Sequence, residues 1–292
     1  MNAPTPARDA EPVTMRLVVT CPDRVGIVAA VARFLAEAGA NIESSHQHSS
    51  NPSDGTFFLR MQFVVAASAR VGLAERFGSA VAERFGMTWR LGDVRERKRI
   101  AVLVSRQDHC LTELLWRWQR AELDGEVVLV ASNHPDLRSA VEAAGLPYHH
   151  IPVSKDDKPA AEAALLALLD GHCDLVVLAR YMQVLSGELL ERLAVPIINI
   201  HHSFLPAFAG AEPYERAHER GVKLVGATAH YVTEDLDEGP IIEQDVIRVN
   251  HEHDVASLKR LGAHIERSVL ARAVQWHCQD RVLRHKNTTV VF

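Results

Sequence analysis

Cysteine is scarce in this chain: four residues of 292, Cys21, Cys110, Cys173 and Cys278, with no Cys-x-x-Cys spacing. That excludes a disulfide framework and a thiolate metal site, and a reducing cytoplasm is the compartment that fits. A basic excess is also missing. With 32 Lys and Arg against 37 Asp and Glu the net charge is −5, so there is no positive field to attract nucleic acid. The short basic run Arg95 to Arg99 reads as a solvated linker. No apolar run approaches the ~20 residues that span a bilayer, so no membrane segment is expected. The opening MNAPTPARDAEP lacks the apolar stretch of a signal peptide, and residues 1–14 are expected to be a disordered tail. Among 16 histidines there is no His-Glu-x-x-His. Pairs such as His149-His150 and the group His251-Glu252-His253-Asp254 therefore read as surface or packed residues, and no metal is expected.

What is present is an ordinary globular composition, 47% hydrophobic and 24% charged, in a chain long enough for two domains. Met15 to Thr20 alternates as a strand, and Val28 to Ala38 follows at helical spacing, closed by Gly39. Asn41 to His48 and Thr56 to Val65 read as strands joined by the turn SNPSDG. Ala69 to Phe85 then returns to a helix and Met87 to Val94 to a strand. The order βαββαβ is ferredoxin-like and sets a first domain at 15–94, with 95–99 as the linker. From 100 to 292 continuous apolar strands (Ile100 to Ser105, Val127 to Ala131, Leu175 to Leu178) alternate with helices (Cys110 to Arg120, Pro135 to Ala144, Lys158 to Leu169). Asp108 is placed to cap the first of these helices. This predicts an α/β, doubly wound, mostly parallel sheet, closed by a packing helix from Val255 to Trp276, with ligands beyond its C-terminal strand ends.

One such end falls at Asn199. Ile197, Ile198 and Ile200 surround it as a buried strand, and the two-residue spacing puts Asn199 and His201 on one face. After the strand-like Ala227 to Val232 comes an acidic loop, Thr233 to Pro240. An amide, an imidazole and a carboxylate at strand ends suit acyl transfer: the amide donates to an oxyanion, the imidazole carries a proton and the carboxylate orients it. Residue type alone leaves Glu234, Asp235, Asp237 and Glu238 as equal candidates, and an Asn-x-His pair is more often a strand-end hydrogen-bonding pair.

The strings NIHHSFLPAF (199–208) and GATAHYVTEDLDEGPIIEQD (226–245) resemble the signature of the folate-dependent formyl transfer enzymes, most closely those that hydrolyse 10-formyltetrahydrofolate. The resemblance implies Asn199, His201 and Asp237 as catalytic residues. It also implies a pterin site made by Tyr181, Met182, Gln183, Val184 and Leu185 with Val232, Thr233, Glu234 and Asp235. No prosthetic group is implied, only 10-formyltetrahydrofolate as substrate. The first domain resembles ACT modules, which implies an amino-acid effector at Asp23, Arg24, Gly26 and Ile27, and a homo-oligomer, a tetramer being favoured. In the family's glycinamide ribonucleotide formyltransferases a Gly- and Ser-rich first turn cradles a phosphate. Here Ser105 to Cys110 has no glycine and carries Asp108, which leaves water as the acceptor, although Arg106 is suited to an anion. Asp108, His109, Cys110, His202 and His230 stand as accessory candidates. The alternatives are transfer of the formyl group to an amine such as glycinamide ribonucleotide, or a folate- and amino-acid-sensing protein without catalysis.

Overall fold

The computed structural model describes residues 11–51, 53–154, 157–207 and 213–292. The expected tail at 1–10, Pro52 of the SNPSDG turn and Phe208 of the asparagine-histidine motif lie outside the described residues. Two units separate, one formed by residues 11–96 with Val290–Phe292, the other by Arg97–Thr289.

In the first unit β1 (Pro12–Pro22) alternates strictly, burying Val13, Met15, Leu17, Val19 and Cys21. Because Val13 already belongs to the core, the strand begins inside the stretch expected as tail. Helix α1 (Ile27–Glu37) lays Ile27, Val31 and Leu35, four residues apart, on the same core. Strands β2 (Asn41–Ser49) and β3 (Thr56–Ala66) follow. The single helix expected over Ala69 to Phe85 is instead broken into α2 (Ala67–Arg70), α3 (Leu73–Phe77), a π turn (Gly78–Ala82) and α4 (Glu83–Phe85). The break has a local cause. Val71 is extended and Gly72 sits at φ +63°, a conformation that glycine tolerates and a helix cannot continue through. Arg76 then spans the gap, donating from Nη1 to Val71 O and from Nη2 to Ala69 O. Strand β4 (Thr88–Asp93) completes an antiparallel sheet in the order β2-β3-β1-β4, the ferredoxin-like arrangement.

The second unit is a seven-stranded sheet. In chain order it contains β5 (Lys98–Val104), α5 (His109–Gln119), β6 (Gly125–Ser132), α6 (Arg138–Ala143), β7 (Tyr148–His150), α7 (Lys158–Leu169), β8 (Leu175–Ala179), α8 (Gly187–Leu193) and β9 (Ile197–His201). These are followed by α9 (Pro213–Glu219), β10 (Leu224–Tyr231), β11 (Ile241–Arg248) and α10 (Val255–Cys278). A separate two-stranded sheet, β12 (Val282–His285) with β13 (Thr288–Val291), ends the chain. Lys98 and Arg99, expected in the linker, belong to β5. The sheet order is β11-β10-β9-β8-β5-β6-β7; β5 to β9 run parallel, while β10 and β11 are antiparallel. Strand β5 is apolar throughout because it is covered twice. Ile100, Val102 and Val104 join the core under α10, whereas Ala101 and Leu103 join the one under α7 and α8. The strand order reverses between β5 and β8, and the crevice beyond their C-terminal ends is where such sheets bind ligands.

Candidate active site

Strand β9 carries the first two side chains. Ile198 and Ile200 are turned into the core under α10, which puts Asn199 and His201 together on the opposite face. The antiparallel return of β10 sets His230 opposite Asn199 and Thr228 opposite His201. In β10 it is Ala227, Ala229 and Tyr231 that face the α10 core, so Thr228 and His230 share the face of Asn199. The loop after β10 supplies the carboxylate. Val232 N–H donates to Ile197 O at 2.8 Å and Tyr231 N–H to Pro240 O at 2.9 Å, which closes the loop on itself. At Gly239 an added Cβ would lie 1.8 Å from Tyr231 O, so only glycine permits that closure. Asp237 sits at φ +59° within the loop.

These residues meet. Asp237 Oδ2 lies 3.1 Å from His201 Nδ1, and its Oδ1 3.7 Å from His230 Nε2. His230 Nδ1 lies 3.0 Å from Tyr231 O, and its Nε2 lies 3.2 Å from Asn199 Nδ2. Burial works against the Asp237 carboxylate, but hydrogen bonds and charge from His201 and His230 outweigh it and hold the group well below the usual carboxylate range. With Nδ1 committed to Asp237, His201 keeps Nε2 buried and without a hydrogen-bond partner. The arrangement can bind and orient a polarised carbonyl and take a proton from an attacking oxygen.

The segment expected to hold a pterin has no regular structure and connects β8 to α8. Its first residue departs from the expectation: Tyr181 is packed in the core with Leu165, Leu189 and Ile197, and burial pushes its phenol up to about 12. Met182 at φ +59° and Val184 are instead exposed. Gln183 and Leu185 are partly covered, as are Val232 and Thr233, while Glu234 and Asp235 are exposed.

The accessory candidates fall into two groups. His230 lies inside the cluster, whereas Asp108, His109, Cys110 and His202 border a separate polar centre. Asp108 occupies the N-cap position of α5 but its side chain accepts no capping bond. Cys110 is buried, and desolvation first, with Glu266 adding to it, raises its thiol well above the ordinary value, which makes it a packing residue rather than a nucleophile. Burial and then Arg180 lower His202 to about 4. The polar centre itself is Glu266, on the buried face of α10. Its Oε1 accepts from Tyr214 Oη at 2.6 Å, its Oε2 lies 2.8 Å from His109 Nε2, and Arg180 Nε stands 3.5 Å from that oxygen. Burial would raise the Glu266 pKa, but His109, Arg180 and Tyr214 together hold it at about 2.

His109, Cys110 and Glu266 are close enough to surround a metal ion. Both oxygens of Glu266 are already engaged, and the Arg180 cation beside them opposes a second positive charge. Arg180, Tyr214 and Glu266 escaped the sequence reading. One signal was available: Glu266 interrupts the apolar positions Leu258, Gly262, Ile265, Val269 and Leu270 of α10, and a carboxylate on a buried stripe demands a partner.

Comparison with known proteins follows the same division. A formyl transferase family model matches residues 98–274 and an ACT domain model residues 15–76. The formyltetrahydrofolate deformylase of Mycobacterium tuberculosis is 58% identical over 279 residues, covering 95% of this chain and 90% of that one. That of Bacillus subtilis is 52% identical over 288 residues, covering 98% and 96%. The crystal structure of a formyltetrahydrofolate deformylase from Pseudomonas syringae pv. tomato superposes with a TM-score of 0.91 at 50% identity, covering 96% of this chain and 94% of that chain.

Proposed function

This chain belongs to the formyltetrahydrofolate deformylase family, and from that premise we infer that Asn199, His201 and Asp237 carry the hydrolysis. The reaction is 10-formyltetrahydrofolate plus water giving formate and tetrahydrofolate, with no prosthetic group. What supports the assignment most is the Asp237 to His201 pair at 3.1 Å, with the other nitrogen of His201 buried and without a hydrogen-bond partner. Asp237, ionised at neutral pH, holds the water and accepts its proton as oxygen attacks the formyl carbon. The amide of Asn199 and protonated His201 donate to the oxyanion that develops on the formyl oxygen. Collapse breaks the bond from carbon to N10, and the proton travels to N10. Met182 to Leu185 and the Val232 to Asp235 strip grip the pterin on either side, with Tyr181 packing the first strip from beneath.

Water is the acceptor because the turn after β5 offers no glycine for close approach. Arg180 Nε also donates to Gln107 Oε1 at 2.8 Å, tying that turn to the end of β8. Formate release from 10-formyltetrahydrofolate tests the assignment, first without an acceptor and then with glycinamide ribonucleotide. Equal rates are expected; release that waits for the amine would make the protein a transferase. Asn199→Ala, His201→Ala and Asp237→Ala are each expected to lower kcat by roughly a hundred- to a thousandfold, and full activity in any one would remove its role.

The ACT module is read as an amino-acid sensor. Gly26 stands at φ +95° before α1, and an added Cβ there would meet nothing within 4 Å, which leaves room for a ligand at Asp23 to Ile27. Strand β2 is an exposed edge of its sheet, and covering it supports a homo-tetramer. Four buried cysteine thiols fit a cytoplasmic setting.

A further inference from the structure

The crevice where the sheet order reverses contains a chamber of about 620 Å³, bordered by Arg106, Gln107, Arg180, His202, Lys259 and Arg260 among others. Its carboxylates are largely engaged: Glu266 as described, and Glu215 with Lys259 Nζ at 2.6 Å. Asp108, which also lines the chamber, has no ion-pair partner among the described residues. On the positive side Arg180 is 7% exposed, its Nε is shared between Gln107 and Glu266, and its Nη1 has no hydrogen-bond partner. A guanidinium so buried, with a donor left over, lacks an acceptor. The first turn of α5, eleven residues long, opens on the same chamber without a side-chain cap, which adds a second set of donors suited to an anion.

The chamber adjoins the reacting centre. His202 lines it, and the His202 ring lies 5.3 Å, centre to centre, from that of His201. Burial keeps His202 neutral at physiological pH, so it presents a polar wall without competing for a negative charge. We propose that the chamber is a binding site for a small carboxylate, the formate released at Asn199 and His201, received by Arg180 and Arg106. This rests on the reading that places formyl hydrolysis at those two residues. Capture on the acceptor side draws the product away from the tetrahydrofolate amine with which it would otherwise remain in contact.

Titration of sodium formate into the full-length protein by calorimetry tests the site. A ligand of three heavy atoms reaches about millimolar affinity at best, and the wild type is expected near that value. Arg106→Ala and Arg180→Lys should each weaken formate at least about tenfold, Asp108→Asn should tighten it, and Asn199→Ala should leave it unchanged. If Arg180→Lys fails to fold, Arg106→Ala decides. No heat up to about 100 mM formate, two decades above that limit, would overturn the proposal. So would loss of binding in Asn199→Ala with retention in Arg106→Ala, since formate would then sit on the oxyanion donors. Inorganic phosphate displacing formate at a tenth of its concentration would show a phosphate site instead and overturn the product assignment. Full catalytic activity of Asn199→Ala would remove only the catalytic reading, and the titration would still decide the chamber.

Discussion

Glu266 and His202 respond to acid through different chemistry but in the same direction. Glu266 binds its proton at about 2 in the folded chain against 4.5 when free, because His109, Arg180 and Tyr214 overcome its desolvation. Between those values the unfolded state holds more protons, so stability is complete above pH 4.5 and is lost as pH falls. At 1.36 kcal/mol per pKa unit the difference is about 3 kcal/mol. His202 stays neutral to about 4 against 6.5 when free, so the same sign applies one window higher. Denaturant titrations should therefore show stability declining first between pH 6.5 and 4, less so in His202→Phe, and then below pH 4.5, less so in Glu266→Gln. A second expectation concerns His230, which touches Asn199 without being read as touching the formyl group. His230→Ala should lower kcat by up to about a hundredfold through a misaligned amide, with KM for the folate nearly unchanged. An equal rise in KM would show instead that His230 holds substrate.

Two elements are shaped by glycines at which any other residue collides. At Gly262 of α10 a Cβ would lie 1.8 Å from Tyr214 Oη, so Gly262→Ala must push the phenol off Glu266. The expected cost is about 1–3 kcal/mol from overpacking, with a further loss from the unpaired buried carboxylate, readable as a lowered Tm. At Gly239 the collision is with backbone, Tyr231 O. Gly239→Ala should displace Asp237 and depress kcat as Asp237→Ala does, with a lowered Tm from the backbone shift; unchanged kcat would detach the loop closure from catalysis. The sheet and most helices were legible because their apolar positions follow one period. Strand β11 and the short α8 and α9 were not, since residues such as Gln244 and Asp245 break the alternation of β11 and answer to tertiary partners. Gln244 Nε2 donates to Leu205 O at 3.0 Å and to Thr228 Oγ1 at 2.9 Å, a pairing that no local pattern encodes.

At the scale of the whole chain, light scattering on the purified protein should give four times the 32.3 kDa of one chain, and charged substitutions along β2, such as Ser45→Lys, should reduce that mass. A monomer in the wild type would detach the exposed β2 edge from assembly. The motif singled out Asn199, His201 and Asp237 as candidates, but not how they lie relative to one another, because the antiparallel register of β10 is fixed by contacts some thirty residues apart. The partners of Glu266 in the polar centre were hidden for the same reason: Arg180, Tyr214 and Glu266 come from three elements and have in common only the place where they meet. That antiparallel return also sets an order of events during synthesis. On the ribosome Asn199 and His201 emerge well before His230 and Asp237, and Ile198, Ile200, Ala227 and Ala229 gain their cover only when α10 follows. A nascent chain halted before Val255 therefore carries Asn199, His201 and Asp237, the three side chains proposed to act in hydrolysis, on an uncovered sheet, as a client for chaperones rather than as an enzyme.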